Sequence, residues 1–119
     1  MKATEDLKRS YPWISELNEV EANTLIRILG FAEASKLIAP SMFGGDSLRE
    51  DYGVAFQVEW VEKTSFCRIT VNPEGEENLY EFFYLNIESN ETKNLDTDNL
   101  SEVLALLGEV GSRDFGKGS

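Results

Sequence analysis

Histidine is absent from this sequence, and cysteine occurs once, as Cys67. Histidine is the side chain that most often acts as a general base, activates a nucleophile or binds a transition metal, so the common active sites built on it are excluded. Cys67 lies in the middle of a predicted strand with no histidine to activate it, which favours a buried structural thiol over a nucleophile. These absences predict a protein that is not an enzyme and binds no cofactor.

Long apolar runs are also absent. The first ten residues, MKATEDLKRS, carry charges where a secretory signal needs apolar side chains. No later segment approaches the roughly 18 apolar residues of a membrane span. Because one cysteine cannot form a disulfide within the chain, a reducing compartment is the natural environment. We therefore expect a cytoplasmic protein with no membrane partner.

Two short stretches have some of the residues of ligand-binding loops. Asp96-Thr97-Asp98-Asn99 matches the start of a calcium loop, but Ser101 stands where that loop needs glycine and Leu107 where it needs glutamate. The glycine pair in residues 43–46 lacks the lysine and hydroxyl of a phosphate-binding loop. We therefore expect a helix cap in the first case, a connecting loop in the second, and no metal site.

Apolar spacing predicts helices at both ends of the chain. The first begins at Ser15 or Asn18, is interrupted at Gly30 and resumes to Ile38, which makes an N-terminal helical pair. The last is capped by Thr97 and ends at Gly108. The stretch PSMFGGDS, residues 40–47, is predicted to be the loop between the helices and the strands.

Alternating apolar and polar residues predict the strands. Residues 54–60 and 64–71 form a hairpin, a turn over residues 72–75 leads to a third strand, and ETKNL supplies a short fourth. The whole pattern predicts an α+β domain over residues 1–111: an N-terminal helical pair, a three- or four-stranded antiparallel meander sheet and a C-terminal helix. Residues 112–119 are predicted to be a flexible tail.

The third strand, LYEFFYLNI, has apolar residues on both of its faces. We expect Phe83, Leu85 and Ile87 to join the core and the other set, Tyr80, Phe82 and Tyr84, to lie on the opposite face beside Phe66 and Arg68. There the first helix or the tail covers them in a second core layer, or they form a partner-binding patch. The residues predicted to be buried are Val54, Phe56, Val58, Trp60, Ile69, Val71, Phe83, Leu85, Leu25, Leu29, Leu104 and Leu107. On this interpretation, Phe83→Ala would cost about 3–5 kcal/mol of stability.

Charge is unevenly distributed along the chain. The net charge is −11, and residues 69–112 hold ten acidic residues against Lys93 alone. Such a surface repels phosphate backbones, so direct nucleic-acid binding is not expected. It attracts a basic protein and speeds the encounter with it, although solubility alone also accounts for a charge of this size.

The sequence therefore predicts a small acidic protein-binding module, of the immunity, antitoxin or inhibitor type, that neutralises a basic nucleic-acid-handling partner. Aromatic anchors and a carboxylate rim are expected to form its binding face: Tyr80, Phe82, Tyr84, Glu76, Glu77, Glu81, Asp96 and Asp98. The main alternative is a secretion or assembly chaperone that acts as an acidic homodimer. An enzyme or small-ligand domain is the third hypothesis.

Overall fold

The computed structural model describes residues 2–73 and 79–117. It confirms the α+β class, with a sheet of five antiparallel strands rather than three or four and helices at both ends of the chain. The elements, in chain order, are α1 (Lys2–Ser10), a 3-10 helix (Pro12–Glu16), α2 (Glu19–Ala34), β1 (Ser41–Gly44), α3 (Asp46–Tyr52), β2 (Phe56–Val61), β3 (Ser65–Val71), β4 (Tyr80–Asn86), β5 (Glu91–Thr97) and α4 (Leu100–Asp114).

The strands lie side by side in the order in which they occur in the chain. Residues directly opposite each other in neighbouring strands share one face of the sheet. One such row crosses all five strands and consists of Met42, Val58, Ile69, Phe82 and Leu95. These side chains pack in one hydrophobic cluster with the buried side chains of α2 and α4. The face that carries this row is therefore the inner face, and the opposite face is called the outer face below.

The predicted burial is confirmed in most of the core. Phe56, Val58, Trp60, Ile69, Val71, Leu25 and Leu107 are buried, and Leu29 and Leu104 are partly buried against the same cluster. Val54 is buried outside this cluster, whereas its neighbour Ala55 belongs to it. Phe83 and Leu85 are the exceptions, because both are only half-buried and lie on the outer face.

The additional strand, β1, forms where the sequence predicted a loop. Ser41–Gly44 pairs with β2 along its whole length, and Met42 is buried. A Cβ atom at Gly44 would lie 2.6 Å from the indole of Trp13, so only glycine lets the ring approach the strand. Four residues are too few for a recognisable alternation, and the strand forms because β2 offers it an unpaired edge.

Helix α2 begins as predicted and continues through the expected break. The Asn18 side chain accepts from the Glu21 amide, and the Glu21 carboxylate accepts from the Asn18 amide, which is a capping box. Gly30 lies on the exposed side, where the helix tolerates it at a cost of about 1 kcal/mol. The helix ends at Ala34, and Lys36 has a positive φ of 61°.

The C-terminal helix extends past its predicted end. Thr97 accepts a hydrogen bond from the Asn99 amide, but Asn99 itself is the N-cap of α4. The helix runs through Gly108 to Asp114, and Phe115 beyond it is fully buried. The backbone of Phe115 also accepts a hydrogen bond from Ile38 at 2.8 Å. The end of α4 and Phe115 therefore pack in the domain, inside the stretch 112–119 that was predicted to be a tail.

Candidate functional site

The outer face presents three rows of side chains across β2–β5, and β1 adds Ser41 to the second row and the exposed Phe43 to the third. The first row is Val61, Phe66, Leu85 and Thr92; the second is Glu59, Arg68, Phe83 and Asn94; the third is Gln57, Thr70, Glu81 and Asp96. Because helices α2 and α4 pack on the other side, most of these side chains are exposed or half-buried. The rows run from an apolar end to an acidic end.

The apolar end is a shallow groove at the β2–β3 turn. Val61 and Ile87 are 58% and 63% exposed, the two highest values among the large hydrophobic residues that the structure describes. Phe66 and Leu85 lie between them and line the same groove, whose volume is about 120 Å³. An exposed apolar cluster of this kind on a sheet is a feature of surfaces that bind other proteins.

Arg68 occupies the centre of the outer face. Its guanidinium carbon lies 5.9 Å from the centroid of the Phe66 ring and 5.8 Å from that of Phe83. In the part of the chain that the structure describes, none of the ion pairs includes Arg68. The two rings therefore hold the cation by cation–π contacts.

The acidic end is a polar pocket of about 190 Å³, which Arg68 lines together with Glu81 and Asp96. Glu81 and Asp96 are directly opposite in the β4–β5 pair, and both are exposed. Like charges at opposite positions destabilise a sheet unless a cation neutralises them. Among the described residues, neither carboxylate forms an ion pair. This end of the face is therefore anionic.

The predicted anchors lie on the wrong face for binding. Tyr80, Phe82 and Tyr84 are 9%, 2% and 0% exposed and belong to the core, so the prediction that they face outwards is wrong. The aromatic ring that β4 presents on the outer face is that of Phe83. A side chain buried in the core cannot anchor a partner without unfolding the sheet.

The predicted carboxylate rim is only partly assembled. The structure brings Glu81 and Asp96 together, whereas Asp98 is exposed just beyond the end of β5. Glu76 and Glu77 lie outside the described residues, as does the second half of the turn predicted over residues 72–75. The sequence reasoning did not find Phe83, Leu85, Val61 and Ile87 as surface residues.

A second polar cluster joins the end of α4 to β3 and β4. Asp114 Oδ2 accepts from the Ser65 hydroxyl at 2.8 Å, the Asn86 amide at 3.2 Å and the Tyr84 hydroxyl. Burial alone raises the pKa of Asp114, but the hydrogen bonds from Tyr84, Ser65 and Asn86 outweigh it, and the pKa is lowered. Burial, and then the bond to Asp114, raise the pKa of Tyr84. The cluster stabilises the carboxylate and connects the helix to the sheet.

Asp114→Asn is expected to remove stability in a pH-dependent way. A carboxyl group whose pKa is lowered by folding contributes stability above its unfolded pKa of about 3.9 and loses it as the pH falls through the folded value. The difference in free energy of unfolding between the wild type and Asp114→Asn should therefore shrink as the pH falls below about 4. Urea unfolding at a series of pH values measures it, with the exposed Asp98→Asn as the control of equal charge. A difference that stays constant with pH would contradict the role of Asp114.

Cys67 is buried on the inner face, as predicted, and burial strongly raises the pKa of its thiol. A thiol that stays protonated is a poor nucleophile. Within residues 2–73 and 79–117, no three carboxylate or thiol side chains are placed so that they could hold a metal ion. No helix in the same ranges combines the length and apolar composition needed to cross a membrane.

Comparison of the chain with family models, curated proteins and solved structures found no match.

Proposed function

We propose that this protein is a small protein-binding module and that the outer face of its sheet binds a basic protein. The observation that carries the proposal is the combination, on one sheet face, of an exposed apolar end and an acidic end whose two carboxylates form no ion pair with a described residue. Protein interfaces combine an apolar centre with a polar rim in this way.

The chemistry of the partner follows from the charge of the chain. With a net charge of −11, the protein attracts cationic surfaces and repels anionic ones over about a Debye length, roughly 8–10 Å. Lysine or arginine side chains of a partner would neutralise Glu81 and Asp96, whose placement opposite each other is unfavourable in the free protein. Apolar partner side chains would cover Val61, Leu85 and Ile87.

Arg68 adds a requirement for specificity. A uniformly cationic surface would be repelled by this guanidinium, so the partner should present an acceptor at the centre of its basic patch. A backbone carbonyl or a single carboxylate would meet the N–H groups of Arg68, which form no ion pair with any described residue. The partner surface is therefore expected to be basic around one acceptor.

The more specific hypothesis is an inhibitor or immunity-type protein that occupies the cationic cleft of a nucleic-acid-handling enzyme. Such a cleft is built to bind phosphates, and carboxylates at the acidic end would take their place. Its place of action would be a reducing cytoplasm, where a single cysteine stays a thiol. On this hypothesis the protein itself does not bind nucleic acid.

Charge reversal at the acidic end tests the proposal. Glu81→Lys with Asp96→Lys should slow association with a partner captured by the wild-type protein from its source cells, by about tenfold or more at low salt. The matched control is Glu33→Lys with Glu102→Lys, which changes the net charge equally on exposed positions of α2 and α4. Surface plasmon resonance between about 50 and 500 mM salt measures the rates. Equal slowing by both pairs would mean that net charge, and not the outer face, drives association.

Truncation at the apolar end should act on dissociation instead. Leu85→Ser with Ile87→Ser removes two side chains that the fold leaves half-buried or exposed, so folding is largely spared. The dissociation rate is expected to rise by about 10- to 100-fold if these side chains are central contacts. Val20→Ser, at an exposed valine on α2, is the control. Unchanged dissociation rates would move the interface away from the outer face.

A further inference from the structure

A buried carboxylate on α2 has one oxygen without a partner. Glu21 is 2% exposed and is the third residue of its helix. Its Oε1 accepts from the Asn18 amide at 3.1 Å and forms an ion pair with Arg49 of α3. Its Oε2 is equally buried, and no described residue donates to it. Buried acceptors are almost always hydrogen-bonded, so this oxygen requires a donor.

Glu21 lines a small cavity between the first turns of α2 and the adjoining ends of β3 and β4. The other residues that line it are Val20, Thr24, Val71, Asn72, Leu79 and Tyr80. The volume open to the centre of a water molecule is about 20 Å³. One water molecule needs roughly 10–15 Å³ of such volume. The cavity therefore accepts one water-sized group and excludes a side chain or an organic ligand.

We propose that this cavity binds one water-sized hydrogen-bond donor, either water or an ammonium ion, which donates to Glu21 Oε2. A second contact is available at Thr24, because its hydroxyl donates to the Val20 carbonyl at 2.9 Å and keeps its lone pairs free to accept. A divalent metal is disfavoured, since Arg49 already neutralises the only carboxylate among the described lining residues and the remaining described walls are mainly apolar. This site is independent of the proposed partner-binding face.

The bound donor would connect two parts of the fold. Glu21 belongs to the capping box of α2, and Val71 and Tyr80 are the paired ends of β3 and β4. A group held between them links the start of the helix to the sheet without a direct side-chain bond. We expect it to be ordered, because a water that satisfies an otherwise unpartnered buried polar group is costly to remove.

Water-to-protein NMR cross-relaxation in the full chain tests the site. A long-lived contact is expected between water and the protons of Thr24 and Val71. Val71→Ile adds one methylene at the cavity wall and should abolish that contact, whereas Val103→Ile, at a fully buried position on α4, should leave it unchanged. In a parallel arm, thermal unfolding in ammonium chloride is compared with sodium chloride at equal concentration. If ammonium chloride raises the melting temperature of the wild type above its value in sodium chloride, and does not do so for Val71→Ile, the occupant is ammonium. If the two salts give the same melting temperature, the occupant is water.

A high-resolution crystal structure of the wild type tests the site independently of the folding of any variant. Density for one atom-sized group within hydrogen-bond distance of Glu21 Oε2 supports the proposal. An empty cavity, with Oε2 bonded directly to Arg49 or Tyr80 and no slow water in the NMR experiment, overturns it.

Discussion

Truncation of the chain after Gly111 is expected to lower the free energy of unfolding by roughly 5 kcal/mol or more, which is comparable to the whole stability of many domains of this size. The truncation removes Phe115, which is fully buried and meets the ring of Tyr84 edge to face at 6.5 Å. Deleting a buried phenylalanine side chain costs about 3–5 kcal/mol. Loss of Asp114 also leaves the buried Tyr84 hydroxyl without its acceptor, which adds about 1–3 kcal/mol.

Urea unfolding followed by circular dichroism measures this effect. Removal of Gly118 and Ser119 alone is the control, since it shortens the chain and retains Phe115. The single variant Phe115→Ala should show most of the loss, about 3–5 kcal/mol. If the chain truncated after Gly111 unfolded at the same urea concentration as the wild type, residues 112–117 would not stabilise the fold by packing on the sheet.

The second large effect is expected at Phe82, and not at its neighbour Phe83. Phe82 lies between Ile69 and Leu95 on the inner face and is 2% exposed. Phe82→Ala should therefore cost about 3–5 kcal/mol of stability. Phe83 is half-buried on the outer face, where its main polar contact is the cation–π contact with Arg68, so Phe83→Ala should cost only about 1 kcal/mol.

The two alanine variants are each other's control, because they remove the same side chain from adjacent positions of one strand. Chemical denaturation of both, with the slope of the transition compared, measures the difference. Equal costs, or a larger cost at Phe83, would mean that β4 pairs with β3 in the register shifted by one residue.

Local patterns in the sequence were sufficient for the elements that carry strong signals of their own. The alternation around Phe56, Val58 and Trp60 predicted a strand with that face buried, and the structure confirms both. Asn18 was one of two predicted N-caps and forms a complete capping box. Such signals involve residues within one or two turns or strand repeats of each other, so no distant contact is needed to interpret them.

The predicted break at Gly30 and the predicted helix end at Gly108 were wrong, because a helix can continue through glycine when packing stabilises it. At Gly108, the predicted end of α4, a Cβ atom would lie 3.1 Å from the ring of Phe31, so the glycine permits a close contact inside the helix and does not end it. Strand β1 and the packing of Phe115 depend in the same way on partners far away in the chain. Local propensity cannot represent contacts of this kind.

The candidate site depends on which side chains of β4 face the core. The apolar content of the strand could not decide this, because both of its faces carry apolar side chains. The pairing of the third strand with the second could have decided its orientation. A tight turn centred on Pro73 and Glu74 would place Tyr80 directly opposite Cys67, and residues directly opposite each other share a face, so Tyr80 would lie on the inner face with Cys67. The observed register pairs Cys67 with Tyr84 and has the same parity.

The sequence by itself thus determined the fold class, the buried thiol and the acidic character of the second half of the chain. These depend on composition and on short-range periodicity, which are properties of the residues alone. Only the tertiary structure decided that Phe83 and Leu85, and not Tyr80 and Tyr84, share the outer face with Glu81 and Asp96. The physical reason is that a strand has a period of two, so one long-range pairing sets the direction of every side chain along it.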